Sequence, residues 1–120
     1  MRVGTDGDDV LKGCDMDETF SGGKGSDTLY GGGGEDTYLW NAGDGDDVIV
    51  NASAGKGTLR FGPGVAADGV SVEASGGDLV FVVEATGEKI TVKGWRSYEK
   101  RMLARVEFAD GTVWQGSQRL

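Results

Sequence analysis

Four nine-residue blocks run without a break from Gly4 to Leu39 on one template: small loop residues and glycines, an acid at place six, an apolar residue at place eight. The third block, Gly22 to Tyr30, and the fourth, Gly31 to Leu39, fit every fixed place, and the first, Gly4 to Lys12, misses only its second glycine. Glycine lacks a Cβ and tolerates positive φ, so a Gly-x-Gly stretch can turn its carbonyl oxygens to alternate sides of a loop. Places seven to nine then return to extended chain. Val10, Thr19, Thr28, Thr37 and Val48 at place seven are all β-branched, as short strands prefer.

Place eight reads Leu11, Phe20, Leu29, Tyr38 and, after an offset, Ile49. These side chains would point inward and fill a flattened coil. With two blocks to a turn, loops two blocks apart stack at the ordinary strand spacing of about 4.8 Å. An aspartate on each stacked loop then faces a gap lined with carbonyls. Oxygen-only donors carrying negative charge suit Ca²⁺ far better than zinc or copper.

Charge supports the same reading. Residues 1–50 hold 12 acidic and 3 basic side chains, whereas residues 51–120 hold 8 and 9, so the net charge of −8 comes from the repeats. Stacked carboxylates repel, and a segment poor in bulky apolar residues struggles to offset its conformational entropy without a cation. Composition alone would also suit a disordered acidic linker, but a linker needs no apolar residue at every ninth place.

The blocks resemble the G-G-x-G-x-D-x-U-x repeat of RTX (repeats-in-toxin) calcium-binding proteins. That resemblance implies an all-β fold, a parallel β-roll over residues 1–50. Odd loops would stack on one edge and even loops on the other, giving about three Ca²⁺ ions. Their acids would be Asp9 with Asp27, Asp27 with Asp47, and Glu18 with Asp36. Asp27 would serve two ions. The family pattern adds carbonyls from Thr5, Gly7, Gly22 and Lys24 for the first ion. It adds Gly23, Gly25, Ala42 and Asp44 for the second, and Cys14, Met16, Gly31 and Gly33 for the third.

Block two, Gly13 to Ser21, is degenerate: Met16 replaces the second loop glycine and Glu18 the aspartate, so its site should be the weakest. After Leu39 the register slips by Trp40 and Asn41, and a fifth loop follows over Ala42–Val50.

From about residue 56 the texture changes. Thr58–Phe61, Val70–Glu73, Leu79–Val83, Lys89–Val92, Arg105–Phe108 and Thr112–Trp114 read as short strands, several separated by turns at Gly76-Gly77-Asp78, Thr86-Gly87 and Asp110-Gly111. Trp95 to Leu103 reads as one short helix. The stretch resembles the haemolysin-type calcium-binding-protein-related segment, through Leu59-Arg60-Phe61-Gly62, Gly77-Asp78-Leu79, Ile90-Thr91-Val92 and Val106 to Trp114. A stack of coils ends in an unpaired edge, so residues 51–120, with Phe61, Phe81, Trp95, Phe108 and Trp114, are expected to cap the roll as one unit with it. Lys93, Arg96, Lys100, Arg101 and Arg105 read as a solvated basic face, salt-bridged to the acidic roll, rather than a nucleic-acid or membrane surface.

The chain has one cysteine, Cys14, and no histidine. No intramolecular disulfide can form, and Ser-His and zinc-protease constellations are excluded. No nucleophile elbow occurs, so an enzyme is not expected. No stretch approaches the ~20 apolar residues of a membrane span, and no signal-peptide pattern opens the chain. The resemblance implies a secreted bacterial protein exported by a type I channel and folding in external calcium. The start at Met1-Arg2-Val3 suggests a fragment or a small family member, with activity in a larger parent polypeptide, and Ser117–Leu120 could overlap an export signal. The alternative is an adhesion module binding a surface glycan or protein, for which exposed Tyr30 and Trp40 would be first suspects. A third is an isolated calcium buffer.

Overall fold

Each block spends its last three places as a strand, because a β-branched residue and an inward apolar residue follow the glycines. The computed structural model describes residues 2–13, 16–32, 34–50, 57–75, 78–93 and 103–115. The strands are β1 (Arg2–Val3), β2 (Val10–Lys12), β3 (Thr19–Ser21), β4 (Thr28–Tyr30), β5 (Thr37–Trp40), β6 (Asp47–Val50) and β7 (Gly57–Phe61). A 3₁₀ turn, Ala67–Gly69, leads into β8 (Val70–Ser75), β9 (Asp78–Val83), β10 (Glu88–Val92), β11 (Leu103–Glu107) and β12 (Val113–Gln115). The helix expected over Trp95–Leu103 lies outside the described residues except for Leu103, which opens β11.

Strands β1 to β8 alternate between two six-stranded sheets, one ordered β1-β3-β5-β7-β11-β12 and the other β2-β4-β6-β10-β9-β8. Pairing is parallel through the repeats, with Val10 opposite Thr28, Thr28 opposite Val48, and Thr19 opposite Thr37. The molecule is an all-β parallel roll. The offset at Trp40-Asn41 lengthens one coil: Asp9 meets Asp27 across 18 residues, but Asp27 meets Asp47 across 20.

Three strands of the second half continue these stacks in parallel: β7 on β5, β10 on β6 and β11 on β7. Only then does direction reverse, with β9 antiparallel to β10, β8 to β9, and β12 to β11. On that side the two sheets end at β12 and β8.

The core runs the length of the roll. Place-eight residues Phe20, Leu29, Tyr38 and Ile49 are buried, and Leu11 packs against them at the first coil. Phe20 and Tyr38, one coil apart, stack at 5.4 Å. In the second half Phe61 stacks on Phe108 at 5.1 Å, and Phe108 meets the edge of Trp114 at 4.7 Å. Each such side chain contributes about 1.5–3 kcal/mol by leaving water.

Trp40 corrects the sequence reading. It is 2% exposed, its indole N–H donates to the Gly45 carbonyl at 3.2 Å, and its ring meets Phe61 edge-on at 5.9 Å. The two-residue offset turns it inward, where it bridges the roll and the second half. Tyr30 is exposed at 39%, beside the Lys12 ammonium. Of the basic face, Arg96, Lys100 and Arg101 lie outside the described residues, as does Trp95. Lys93 pairs with Asp78 at 3.2 Å and Arg105 with Glu107 at 2.9 Å, both acids of the second half and not of the roll.

Candidate metal centre

Loops one, three and five stack along one edge of the roll, and loops two and four along the other. The approach is close enough to require glycine. Gly25 (φ +92°) lies so near loop one that a Cβ would stand 2.5 Å from the Gly7 carbonyl oxygen, and at Gly45 (φ +89°) it would stand 2.6 Å from the Gly25 carbonyl oxygen. Gly7, Gly25 and Gly45 thus form a column of main chain in contact. On the other edge Gly34 covers the Met16 main chain, while the Met16 side chain is 69% exposed.

Aspartates tie this column together. The Asp9 amide donates to Asp27 Oδ1 at 2.8 Å, and the Asp27 amide donates to Asp47 Oδ1 at 3.0 Å. On the second edge the Glu18 amide donates to Asp36 Oδ1 at 3.1 Å. Asp27, Asp36 and Asp47 are buried, at 1%, 1% and 4% exposure. The outer oxygens, Oδ2 of Asp27 and Oδ2 of Asp36, are buried with no hydrogen-bond partner among the described residues.

The first and weakest loops differ. Asp9 folds back on its own block, accepting from the Thr5 amide at 2.6 Å and the Thr5 hydroxyl at 3.0 Å. Glu18 accepts a 2.6 Å ion pair from Arg2. Its carboxylate is therefore already partly neutralised, unlike those of Asp27 and Asp36.

Electrostatics register the crowding. Burial, with the charges of Glu18 and Asp17, lifts Asp36 to about 6 against the opposing hydrogen bond from the Glu18 amide. Burial likewise lifts Asp47 to about 7, with Asp27, Asp44 and Asp46 adding to it. Asp27 and Asp44 are raised too, chiefly by burial. A buried carboxylate oxygen with no donor is costly. A cation beside it would remove the penalty, and the hard oxygen donors fit calcium.

Of the residues named from the sequence, Thr5, Gly7 and Asp9 lie on loop one, and Gly22, Gly23, Lys24, Gly25 and Asp27 on loop three. Ala42, Asp44 and Asp47 are on loop five, Met16 and Glu18 on loop two, and Gly31 and Asp36 on loop four. Cys14 and Gly33 lie outside the described residues. Asp27 Oδ2 sits directly against Gly22, and Gly4 directly against the Gly22 carbonyl. Among the described residues no three Cys, Asp or Glu side chains converge as a metal-holding group.

Two sets of residues escaped sequence reasoning. The acids at place five reach forward along the stack: Asp8 Oδ1 accepts the Ser26 amide of loop three at 2.8 Å, Asp17 Oδ1 the Glu35 amide of loop four at 2.7 Å, and Asp46 Oδ1 the Lys89 amide of β10 at 3.0 Å. Their signal was the aspartate repeated at place five of blocks one, two and five. The other is Glu88, which accepts from the amides of Gly43 and Gly45. Burial disfavours its charge, but those amides and the Thr86 hydroxyl hold its carboxyl below the usual range.

Residues 15–39 match the family model of the RTX calcium-binding nonapeptide repeat (4 copies), which spans blocks two to four. Residues 78–118 match that of the haemolysin-type calcium binding protein related domain, which covers β9 to β12. No curated protein matches the chain. Among the described residues no helix is long and apolar enough to cross a membrane.

Proposed function

We propose that this chain, which carries RTX calcium-binding nonapeptide repeats and a haemolysin-type calcium binding related segment, is a module whose folded state depends on calcium. The observation that carries this is the pair of buried, unpartnered oxygens, Asp27 Oδ2 and Asp36 Oδ2. Bound calcium would supply the positive charge that these stacked loops lack. Asp9, Asp27 and Asp47 would hold ions on one edge, and Asp36 with Glu18 an ion on the other, about three in all. Loop carbonyls from Thr5, Gly7, Gly22, Lys24, Gly23, Gly25, Ala42 and Asp44 would complete the first edge, and those of Met16 and Gly31, with Cys14 and Gly33, the second.

Each loop's own part is to fix carbonyls and carboxylates in register, so that binding free energy becomes folding free energy. Residues 1–50 and 51–120 fold as one cooperative unit in this reading. Trp40 supports it, since it packs on Phe61 across the boundary, as do the parallel pairs that β7 and β10 make with repeat strands. A calcium-poor cytosol would leave the acidic loops open for export, and millimolar external calcium would close them. The module would then stabilise a secreted bacterial protein, of which it is one part.

Circular dichroism with and without EGTA at neutral pH tests the reading. The chain should pass from largely unfolded to strand-rich on adding calcium, at roughly 10⁻⁴–10⁻³ M per site. A chain already compact in excess EGTA overturns it.

A further inference from the structure

Glu88 belongs to no repeat and lies 45 residues beyond Gly43, yet it grips loop five with both carboxylate oxygens. Oε1 accepts from the Gly43 amide at 2.8 Å and Oε2 from the Gly45 amide at 2.6 Å. A trans peptide is planar, with its N–H and C=O on opposite sides. The amides that face Glu88 therefore keep the carbonyls of Ala42 and Asp44 turned away from it. Strand β10, which begins at Glu88, pairs with β6 on one side, and β4 pairs with β6 on the other. Away from Glu88 is consequently towards loop three and Asp27.

Packing does not impose this orientation at Gly43. A Cβ there would meet nothing within 4 Å, so the hold comes from hydrogen bonds: the Asp44 amide donates to the Asn41 carbonyl at 3.0 Å within the turn, and Glu88 takes the flanking amides. The neighbouring contact strengthens the hold, because the Lys89 amide donates back to Asp46 Oδ1 at 3.0 Å. The acid column also ends here. Asp9, Asp27 and Asp47 follow one another in register, and Asp47 is then paired with Ile90. Loop five thus presents donors to its outer neighbour and, by the same peptide planes, acceptors to its inner one.

We propose that Glu88 is a positioning residue for the site between loops three and five, holding the Ala42 and Asp44 carbonyls towards Asp27 and closing the column with a fixed anion. It acts through main-chain peptides and touches no metal itself. The inference rests on the calcium reading above and deepens it: one site of the array is completed from outside the repeats. Partners that orient the direct ligands of a metal change its affinity by about 10–100-fold when removed.

A calcium titration of the full ¹⁵N-labelled chain, followed through the amides of Gly7, Gly25, Gly34 and Gly45, tests it. Glu88→Gln replaces one acceptor oxygen with a donor and should weaken the transition seen at Gly25 and Gly45 about tenfold. Gly7 and Gly34 should move much less. Glu88→Asp keeps the charge and should fall between the two. Wild-type affinity throughout in Glu88→Gln overturns the inference. So does an equal loss at every loop, or failure of that variant to fold at saturating calcium, since either makes Glu88 an ordinary end cap. Absence of any calcium response in the wild-type chain would instead remove the parent reading, and this inference with it.

Discussion

The amide of Asp27 donates to Oδ1 of Asp47 across 3.0 Å, so the carboxylate of one loop holds the main chain of the loop before it. Asp27 repeats the arrangement towards Asp9. Each of these aspartates uses one oxygen to set the register of its neighbour. In Asp27 the second oxygen is left over, buried among like charges. The same residue therefore assembles the stack and makes it unstable without a cation.

Asp27→Ala should cost more calcium-loaded stability than Glu18→Ala. The first leaves the Asp9 amide without its acceptor and removes the central carboxylate of the odd edge. An unsatisfied donor alone costs about 1–3 kcal/mol. Glu18 is paired with the exposed Arg2, and such pairs are worth about 0–1 kcal/mol. Urea unfolding in excess calcium measures both, and equal midpoints would contradict the stacking scheme.

Stability without calcium should fall as pH rises. Asp36 and Asp47 titrate at about 6 and about 7 in the folded chain, against 3.8 as the ordinary value. A group whose folded pKa is raised stabilises fully below its unfolded pKa, and that contribution is lost as pH climbs through the folded one. The metal-free chain should therefore lose melting temperature between pH 4 and about 7. Glu88 and Asp110, shifted downward from 4.5 and 3.8, add stability only as pH rises to those values, at the foot of this window, and leave the rest of it to Asp36 and Asp47. Thermal melts in calcium-free buffer check this, and a melting temperature that rises across the window refutes it.

Places five and six should respond differently to asparagine. Asp8 and Asp17 each offer one oxygen to an amide of the next loop along the stack. Asn keeps that oxygen, so Asp8→Asn should preserve calcium affinity within about twofold, while Asp8→Ala loses a hydrogen bond worth about 1 kcal/mol. Asp27→Asn keeps the bond to Asp9 but removes the charge, and should weaken calcium binding far more. Calorimetric titration of the three variants separates the roles. Equal losses for Asp8→Asn and Asp27→Asn would make both acids ligands.

Much of this was legible because a nine-residue period leaves few alternatives. Phe20, Leu29, Tyr38 and Ile49 announce an inward face, and the glycines announce loops too tight for side chains. Less legible was the continuation of the stack by Gly57–Phe61, Glu88–Val92 and Leu103–Glu107. These strands pair in parallel, with a register shift between Leu103 and Arg105, and lack the Gly-Asp loops that marked the earlier coils. Trp40 was misread because an offset between repeats looks like a protruding loop, when here it seats a large ring in the core. Glu88 could not be found from local pattern, since its partners are 43 and 45 residues away.

Close stacking, separate from positive φ, can be isolated with two glycines. Gly25 and Gly64 have nearly the same backbone angle, φ +92° and +94°, which side chains rarely adopt. Alanine at either position should carry a similar strain of about 1 kcal/mol or more. At Gly64 nothing lies within 4 Å of the new Cβ, whereas at Gly25 it meets the Gly7 carbonyl at 2.5 Å and the Asp8 carboxylate at 3.0 Å. Gly25→Ala should therefore push loops one and three apart and reduce calcium affinity on that edge. Gly64→Ala should lower the melting temperature modestly and leave calcium affinity unchanged. If both variants lose stability and affinity equally, the loops are not in contact and the column of stacked carbonyls is not the metal cradle.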